Sequence, residues 1–226
     1  MLHNTSFVWT ADGWQASYDK KRPVPFGEYV PDRWFYELIV PDLVGLIQRE
    51  YTPGSNPPLV QVGDVGVGLA ICFDVIYDVV LWDGARDGAE VFVFQTNNAD
   101  FRGTDENLQQ LAFARMRAIE TGRAVVNVST VGTSQVITPD GTTVDSIGVD
   151  TVDASITTVP LRTGLTPAVI LGPWLTALIV LAAAGALTAH GDAAHLLPLH
   201  RLDALVTSSD EEWSSIDYDD ERGIAV

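Results

Sequence analysis

Cysteine is nearly absent from this sequence, since Cys72 is the only one in 226 residues. A lone cysteine excludes an internal disulfide framework. Basic residues are also scarce: 13 lysines and arginines stand against 30 aspartates and glutamates, giving a formal net charge of -17. That balance argues against nucleic-acid binding, which needs cations to neutralise phosphates. The four histidines lack the paired spacing of a metal site, and there is no glycine-rich phosphate loop of the Walker type.

Charged residues are missing altogether from residues 168–189, "AVILGPWLTALIVLAAAGALTA". At the rise of an α-helix, about 20 such residues cross the ~30 Å hydrocarbon layer of a bilayer. A buried core helix is the alternative, but core helices seldom stay uncharged for so long. The pattern therefore predicts one transmembrane helix within residues 164–190.

The charges flanking this segment predict its orientation. The residues after it include His190, His195, His200 and Arg201, whereas the residues before it include Arg162 among aspartates. By the positive-inside rule, this asymmetry favours a cytoplasmic C-terminus. The main domain is then expected on the extracytoplasmic face of the plasma membrane.

The residues before the apolar segment alternate between strand and helix patterns. Apolar runs such as "VGVGLAICF" and "EVFVFQT" are typical of strands buried on both faces. Strands are also predicted for "TSFVWT", "WQASYD", "AVVNVST", "SQVIT", "TTVDSIG" and "SITTVPL", and helices for "YDVVLWDGARDG" and "DENLQQLAFARMRAIETG". The second helix has a mostly apolar face at i, i+3, i+4 spacing, formed by Leu108, Leu111, Ala112, Arg115, Met116 and Ile119.

These patterns divide the chain into three parts. Residues 1–163 are expected to form an α/β domain, and residues 164–190 form the membrane-helix region. Residues 191–226 include the acidic stretch "SSDEEWSSIDYDDERG". A segment with so many acids is predicted to be a solvated, disordered tail.

Cys72 lies where a predicted buried strand gives way to a helix, in "AICFDVIYD". A side chain at such a position can face a cleft, and a helix N-terminus or a nearby cation favours the reactive thiolate. A single cysteine in a strand is otherwise a small core hydrophobe. The residues alone leave both interpretations open.

A second candidate stretch is "YDKKRPVPFGEYVP", residues 18–31, whose composition predicts an ordered loop rather than a helix or strand. Lys20 could stabilise an anionic intermediate or pair with a thiolate, and Glu28 could orient either group. The alternative is a surface loop with solvated lysines.

Several stretches in order along the chain resemble the apolipoprotein N-acyltransferase family: "KKRPVPFGEYVP", "AICFD", "NNADF", "LAFARMRAIETGR", "STVGTSQVITPDG" and "RTGLTP". The resemblance implies an αββα sandwich of the nitrilase superfamily with a Glu-Lys-Cys triad, and the form of these motifs suggests an actinobacterial source. It makes Cys72 the nucleophile and Lys20 the triad lysine. Glu28 then matches a motif glutamate near the active site.

The sequence also departs from the family pattern. Phe73 and Asp74, which the resemblance places in supporting positions, stand where Tyr-Glu is usual, and Arg22 and Pro23 replace His-Leu. The triad glutamate, which acts as the general base, belongs upstream of the lysine. None of the nineteen residues before Lys20 is a glutamate. The chain is therefore expected to be the C-terminal, N-terminally truncated portion of such an enzyme, with little or no activity alone.

The mechanism implied by the resemblance needs no cofactor and no metal. The thiolate takes an acyl chain from a phospholipid donor, forming a thioester, and the amine of a diacylglyceryl-apolipoprotein acceptor then attacks it. Two other functions remain open. One is a nitrilase-superfamily amidase that hydrolyses a C–N bond, and the other is a non-catalytic, membrane-tethered module.

Overall fold

The structure, a computed structural model, describes residues 2–189, 218–219 and 224–225. It divides into two compact units, Met1–Gly172 and Pro173–Val226. All but four residues of the predicted tail 191–226 lie outside the described residues. His190, His195, His200 and Arg201, on which the predicted helix orientation depends, also lie outside them.

The regular elements follow the alternation expected from the sequence. The strands are β1 Thr5–Thr10, β2 Gly13–Asp19, β3 Leu59–Val62, β4 Val65–Ile71, β5 Val91–Thr96, β6 Ala124–Ser129, β7 Ser134–Ile137, β8 Thr143–Ile147, β9 Tyr218–Asp219 and β10 Ile224–Ala225. The helices are α1 Arg33–Ile39, α2 Pro41–Leu46, α3 Asp78–Arg86, α4 Glu106–Thr121 and α5 Pro167–Ala189. Short 3₁₀ helices span Cys72–Ile76 and Ala99–Phe101.

The central sheet has six strands in the order β3-β4-β5-β6-β7-β8. Strands β4, β5 and β6 are parallel, while β3, β7 and β8 join them antiparallel. Parallel neighbours require crossover connections, and α3 and α4 provide them. The carboxyl ends of β4 and β5 therefore meet at one edge of the sheet, where Cys72 and the "NNADF" loop follow.

The sheet is covered on both faces. On one face α3 and α4 bury a core that includes Phe92, Phe94 and Val125. On the other face the hairpin β1–β2 packs its Tyr18 against residues of β3 and β4, including Leu69. The layers are thus helix, sheet and second sheet, and the predicted α/β sandwich is confirmed.

Most predicted elements are confirmed, including the "PDG" hairpin, where Gly141 has a φ of 86°. The predicted strand "SITTVPL" is wrong, because residues 151–166 contain no strand. The hydroxyls of Ser155 and Thr157 bond the Asp145 carboxylate, but no backbone ladder forms with β8. Apolar alternation predicts a strand only where a neighbour can pair with it, and Ile156 here is fully exposed.

The apolar face predicted for α4 is not the face that the helix buries. Leu108, Met116 and Ile119 are exposed, and of the six predicted positions only Leu111 is buried. The buried side chains are Asn107, Leu111, Ala114, Arg117, Ala118 and Thr121. The small side chains of Ala114 and Ala118 allow the helix to approach the sheet. The polar side chains of Asn107, Arg117 and Thr121 are hydrogen-bonded.

Helix α5 matches the uncharged segment. Residues Pro167–Thr188 have a mean hydropathy of 2.1 and are long and apolar enough to cross a bilayer. Within the first unit, its opening turn packs on α3: Val169 is buried and its carbonyl accepts a hydrogen bond from Arg86.

Candidate active site

Cys72 stands at a strained point of the backbone. It follows β4 directly, opens the 3₁₀ helix Cys72–Ile76 and has a φ of 50°. A non-glycine residue in this left-handed region costs about 1–3 kcal/mol and persists only where its surroundings fix it. The half-buried thiol is thus presented on a sharp turn at the carboxyl edge of the sheet.

Asp74 is the fully buried carboxylate inside this turn. Its Oδ2 accepts hydrogen bonds from the Ile71 backbone N–H at 3.1 Å and from the Tyr18 hydroxyl at 2.7 Å. Its Oδ1 accepts one from the Arg22 backbone N–H at 2.8 Å. Asp74 therefore joins the Cys72 turn to β2 and to the loop that carries Lys20.

Burial is the main cause of the pKa shifts of Asp74 and Tyr18. Desolvation raises the pKa of Asp74 above its usual value, although hydrogen bonds from Tyr18, Ile71 and Arg22 oppose the shift. Desolvation also raises the pKa of Tyr18, with a further contribution from the Asp74 charge. The phenol consequently remains a hydrogen-bond donor to Asp74 at any physiological pH.

Lys20 follows the last residue of β2 and is buried, with a relative exposure of 2%. Its Nζ lies 2.6 Å from Oε2 of Glu28. The same carboxylate oxygen accepts a hydrogen bond from the Val24 backbone N–H at 2.7 Å, and Oε1 accepts one from Asn4 at 3.4 Å. The predicted loop 18–31 therefore folds so that Glu28 fixes the Lys20 ammonium, and the alternative of a solvated lysine is wrong.

Two cavities meet at Cys72. The polar cavity, of about 520 Å³, has among its lining residues Asn4, Ser6, Lys20, Glu28, Cys72 and Gln95. The apolar cavity, of about 360 Å³, has among its lining residues Cys72, Phe73, Ile76, Phe101 and Phe113. Val24 and Phe101 also line both. Cys72 thus faces a buried cation on one side and a hydrocarbon-lined space on the other.

The structure places all five sequence-predicted site residues around one point. Cys72, Lys20 and Glu28 line the polar cavity, Phe73 lines the apolar cavity, and Asp74 lies beneath the turn. Phe73 also makes an edge-to-face contact with Tyr77, with ring centroids 5.5 Å apart. The Arg22 guanidinium lies over the same Tyr77 ring at 5.0 Å, so this departure from the family pattern has a packing role.

Two residues of the site were missed by the sequence reasoning. Tyr18 binds Asp74, and Arg117 binds the end of the Cys72 turn. The position of Tyr18 on the alternating strand "WQASYD" marks it as inward-facing, but nothing local indicates its partner 56 positions away. Arg117 lies three residues before Glu120, with which it pairs, and that spacing was the available signal.

The chain is similar in sequence to known proteins. The carbon-nitrogen hydrolase family matches residues 1–164. The apolipoprotein N-acyltransferase of Mycolicibacterium smegmatis is 35% identical over 187 residues, which cover 80% of this chain and 30% of that protein. The enzyme of the same name from Aquifex aeolicus is 33% identical over 131 residues, covering 58% of this chain and 28% of that protein.

The chain therefore spans about 30% of the length of these two curated relatives. Among solved structures, Saccharomyces cerevisiae Nit3, a member of branch 10 of the nitrilase superfamily, matches with a TM-score of 0.49 and 21% identity. That match covers 66% of this chain and 50% of the Nit3 chain.

Proposed function

This chain belongs to the carbon-nitrogen hydrolase family, and we propose that it is part of the catalytic domain of an apolipoprotein N-acyltransferase. The observation that carries the proposal is the position of Cys72 on a strained turn between the polar and the apolar cavity. The relatives named apolipoprotein N-acyltransferase support the same activity.

The proposed reaction has two steps. The Cys72 thiolate attacks the ester carbonyl of a phospholipid, forms an S–C bond and expels a lysophospholipid, leaving a thioester on the enzyme. The α-amine of a diacylglyceryl-cysteine lipoprotein then attacks that thioester, forms an amide and releases the thiolate. Such splitting of one transfer into two easier steps is ordinary covalent catalysis.

Both steps place negative charge on the carbonyl oxygen. Lys20 lines the cavity that Cys72 faces, and we assign it the stabilisation of that charge. Glu28 holds the ammonium by the 2.6 Å contact and by its own bond from Val24. The thiol and amine protons need a base, which the family resemblance assigns to a glutamate that this sequence does not match. Little transfer by the purified chain alone remains our prediction.

The long hydrocarbon chain of the acyl group distinguishes the proposed substrate from a small amide. The apolar cavity lies beside Cys72, and most of its surface is apolar although Asn98, Glu106, Gln109 and Gln110 also line it. It can therefore bury hydrocarbon removed from water. Helix α5 has the length and composition to hold the domain beside its lipid substrates. In this proposal α5 spans the plasma membrane, with the catalytic domain on the extracytoplasmic face and the C-terminus in the cytoplasm.

The first half-reaction offers a direct test. The full chain in detergent micelles is mixed with p-nitrophenyl esters, whose good leaving group reduces the need for protonation. We expect a burst of p-nitrophenolate, a hydroxylamine-labile acyl group on Cys72, and faster reaction with the octanoate than with the acetate. Labelled phosphatidylethanolamine and a diacylglyceryl-cysteine peptide then test the complete transfer.

The competing functions have different outcomes in the same assay. An amidase would release ammonia from small amides in a Cys72-dependent reaction and show no preference for the longer acyl chain. A non-catalytic module would give no burst that the Cys72→Ala variant removes. Either result would overturn the proposal. Cys72-dependent transfer to the lipopeptide would support the proposal and contradict our prediction of little transfer by the chain alone.

A further inference from the structure

Arg117 is a buried cation that the mechanism above does not use. It lies on the inner face of α4 with a relative exposure of 1%. Its Nε donates to the Val75 carbonyl and its Nη2 to the Ile76 carbonyl, both at 2.8 Å. These two carbonyls close the 3₁₀ helix that Cys72 opens. The guanidinium thus bonds the turn on which the thiol stands.

The Cys72 turn is held at both ends. At its start, the Asp74 carboxylate accepts a bond from the Ile71 N–H, as described above. At its end, helix-terminal carbonyls lack partners within the helix, and Arg117 satisfies two of them. Because a planar guanidinium presents its donors in a rigid fork, it fixes the position of one carbonyl relative to the next.

Two acids in turn hold Arg117. Its Nη1 lies 2.5 Å from the Glu120 carboxylate and 2.6 Å from that of Asp78. Glu120 lies on α4 itself, whereas Asp78 begins α3 directly after the turn. The guanidinium therefore bonds the end of the Cys72 turn and the first residue of the helix α3 that follows it.

Arg123 provides an internal comparison. It is also fully buried and also donates to backbone carbonyls, including those of Ala89 at 2.5 Å and Thr121 at 2.6 Å. None of its bonds involves the turn Cys72–Ile76. The two arginines thus share burial and bonds to backbone carbonyls. They differ in that Arg117 is also paired with two acids and bonds the Cys72 turn.

We propose that Arg117 is a positioning residue for Cys72, bonding the end of the turn so that the thiol keeps its strained orientation toward the polar cavity. The inference rests on the proposed function only in taking Cys72 as the nucleophile. Arg117 itself touches no reacting atom.

The test measures acylation of Cys72 in the full chain by p-nitrophenyl octanoate, with the acylation rate and the apparent KM determined separately. Arg117→Lys keeps the charge but loses the fork, so we expect the acylation rate to fall about tenfold while KM changes less than twofold. Arg123→Lys, the matched control, should leave both values within twofold of the wild type. Iodoacetamide labelling checks that the thiol remains accessible in each variant.

A second pair of variants does not depend on replacing a buried arginine. Asp78 is 53% exposed, and Asp78→Asn removes the negative charge of its pair with Arg117. We expect this change to lower the acylation rate two- to threefold. Asp83→Asn on the same helix, which removes a contact with Arg86, should leave it unchanged.

The inference is overturned if Arg117→Lys and Asp78→Asn both acylate like the wild type. It is equally overturned if Arg123→Lys slows acylation as much as Arg117→Lys does, because the effect would then reflect general stability. A wild-type chain whose Cys72 reacts with octanoate and acetate esters at equal rates would refute the proposed acyltransferase and leave this comparison valid.

Discussion

The two cavities that meet at Cys72 differ in size, lining and chemistry. The polar cavity, of about 520 Å³, contains a buried ammonium held by a carboxylate, and amide side chains line it. The apolar cavity, of about 360 Å³, has a mainly apolar surface that includes Phe73, Ile76, Phe101 and Phe113. When the Cys72 thiol attacks an acyl ester, the polar cavity can stabilise the charge on the carbonyl oxygen. The apolar cavity can bury the hydrocarbon chain of the same acyl group. The difference favours an acyl substrate over a small polar amide.

The largest expected effect comes from removing the residue that the cavities share. Cys72→Ala should abolish the p-nitrophenolate burst and the hydroxylamine-labile acyl group, because no other thiol exists in the chain. Mass spectrometry of the intact protein checks this. An acyl adduct of unchanged yield on the variant would refute the assignment of the nucleophile.

A loss confined to the polar cavity should follow from Lys20→Met. Removing a group that stabilises a developing oxyanion costs about 10²–10³-fold in rate, so we expect that fall in acylation for octanoate and acetate esters alike. Lys21→Met is the matched control, since Lys21 does not line the polar cavity. Equal effects of the two substitutions would contradict the role of Lys20.

Glu28→Gln tests whether the ion pair holds the polar cavity together. The change keeps the side-chain shape but leaves the buried Lys20 ammonium without its partner at 2.6 Å. Breaking a buried pair in this way costs about 3–5 kcal/mol, measured by urea unfolding. The exposed Glu37, paired with Arg33 at 3.2 Å, supplies the control Glu37→Gln, for which we expect no measurable change.

The apolar cavity should affect chain length and little else. Each methylene that the cavity buries contributes about 0.8 kcal/mol, or roughly fourfold in rate. Phe113→Ala should therefore reduce the preference for octanoate over acetate by about tenfold while acetate reacts as before. Leu108→Ala, an exposed position on the same helix, is the control. A preference that survives Phe113→Ala would place the acyl chain elsewhere.

The smallest effect concerns the pH dependence of the Asp74 carboxylate beneath the Cys72 turn. Burial raises the folded-state pKa of Asp74, so the folded chain binds this proton more tightly than the unfolded chain. Stability therefore falls as pH rises from about 4, the unfolded value, through the raised folded pKa. Relative to Asp74→Asn, the wild type should lose stability over that window in denaturant unfolding.

Asp140 provides the opposite sign for the same experiment. Hydrogen bonds from Thr138 and Thr142 lower its folded-state pKa, so its contribution is present above the unfolded pKa and is lost as pH falls. The two aspartate variants should therefore change the pH profile in opposite directions. If the two variants changed the pH profile of stability in the same direction, burial would not be what sets the pKa of Asp74.

Much of the fold could be predicted from local patterns. The strands β4 and β5 lie in the apolar runs from which they were predicted, and the helices α3 and α4 lie in the two stretches predicted as helices. The failures came where a pattern depends on a neighbour. "SITTVPL" alternates like a strand but finds no partner to pair with, and α4 buries Arg117 instead of Met116 because backbone carbonyls lie opposite the arginine.

The sequence by itself determined the order of Lys20, Glu28 and Cys72, the strand-to-helix junction at the cysteine and the uncharged composition of α5. These features depend on residue type and spacing. Only the tertiary structure decided that Cys72 has a φ of 50° and that Asp74 bonds Tyr18 and Arg22. It also decided that Arg117 closes the turn. Those contacts join residues far apart in the chain, and burial selects them because an unsatisfied polar group in the interior is costly.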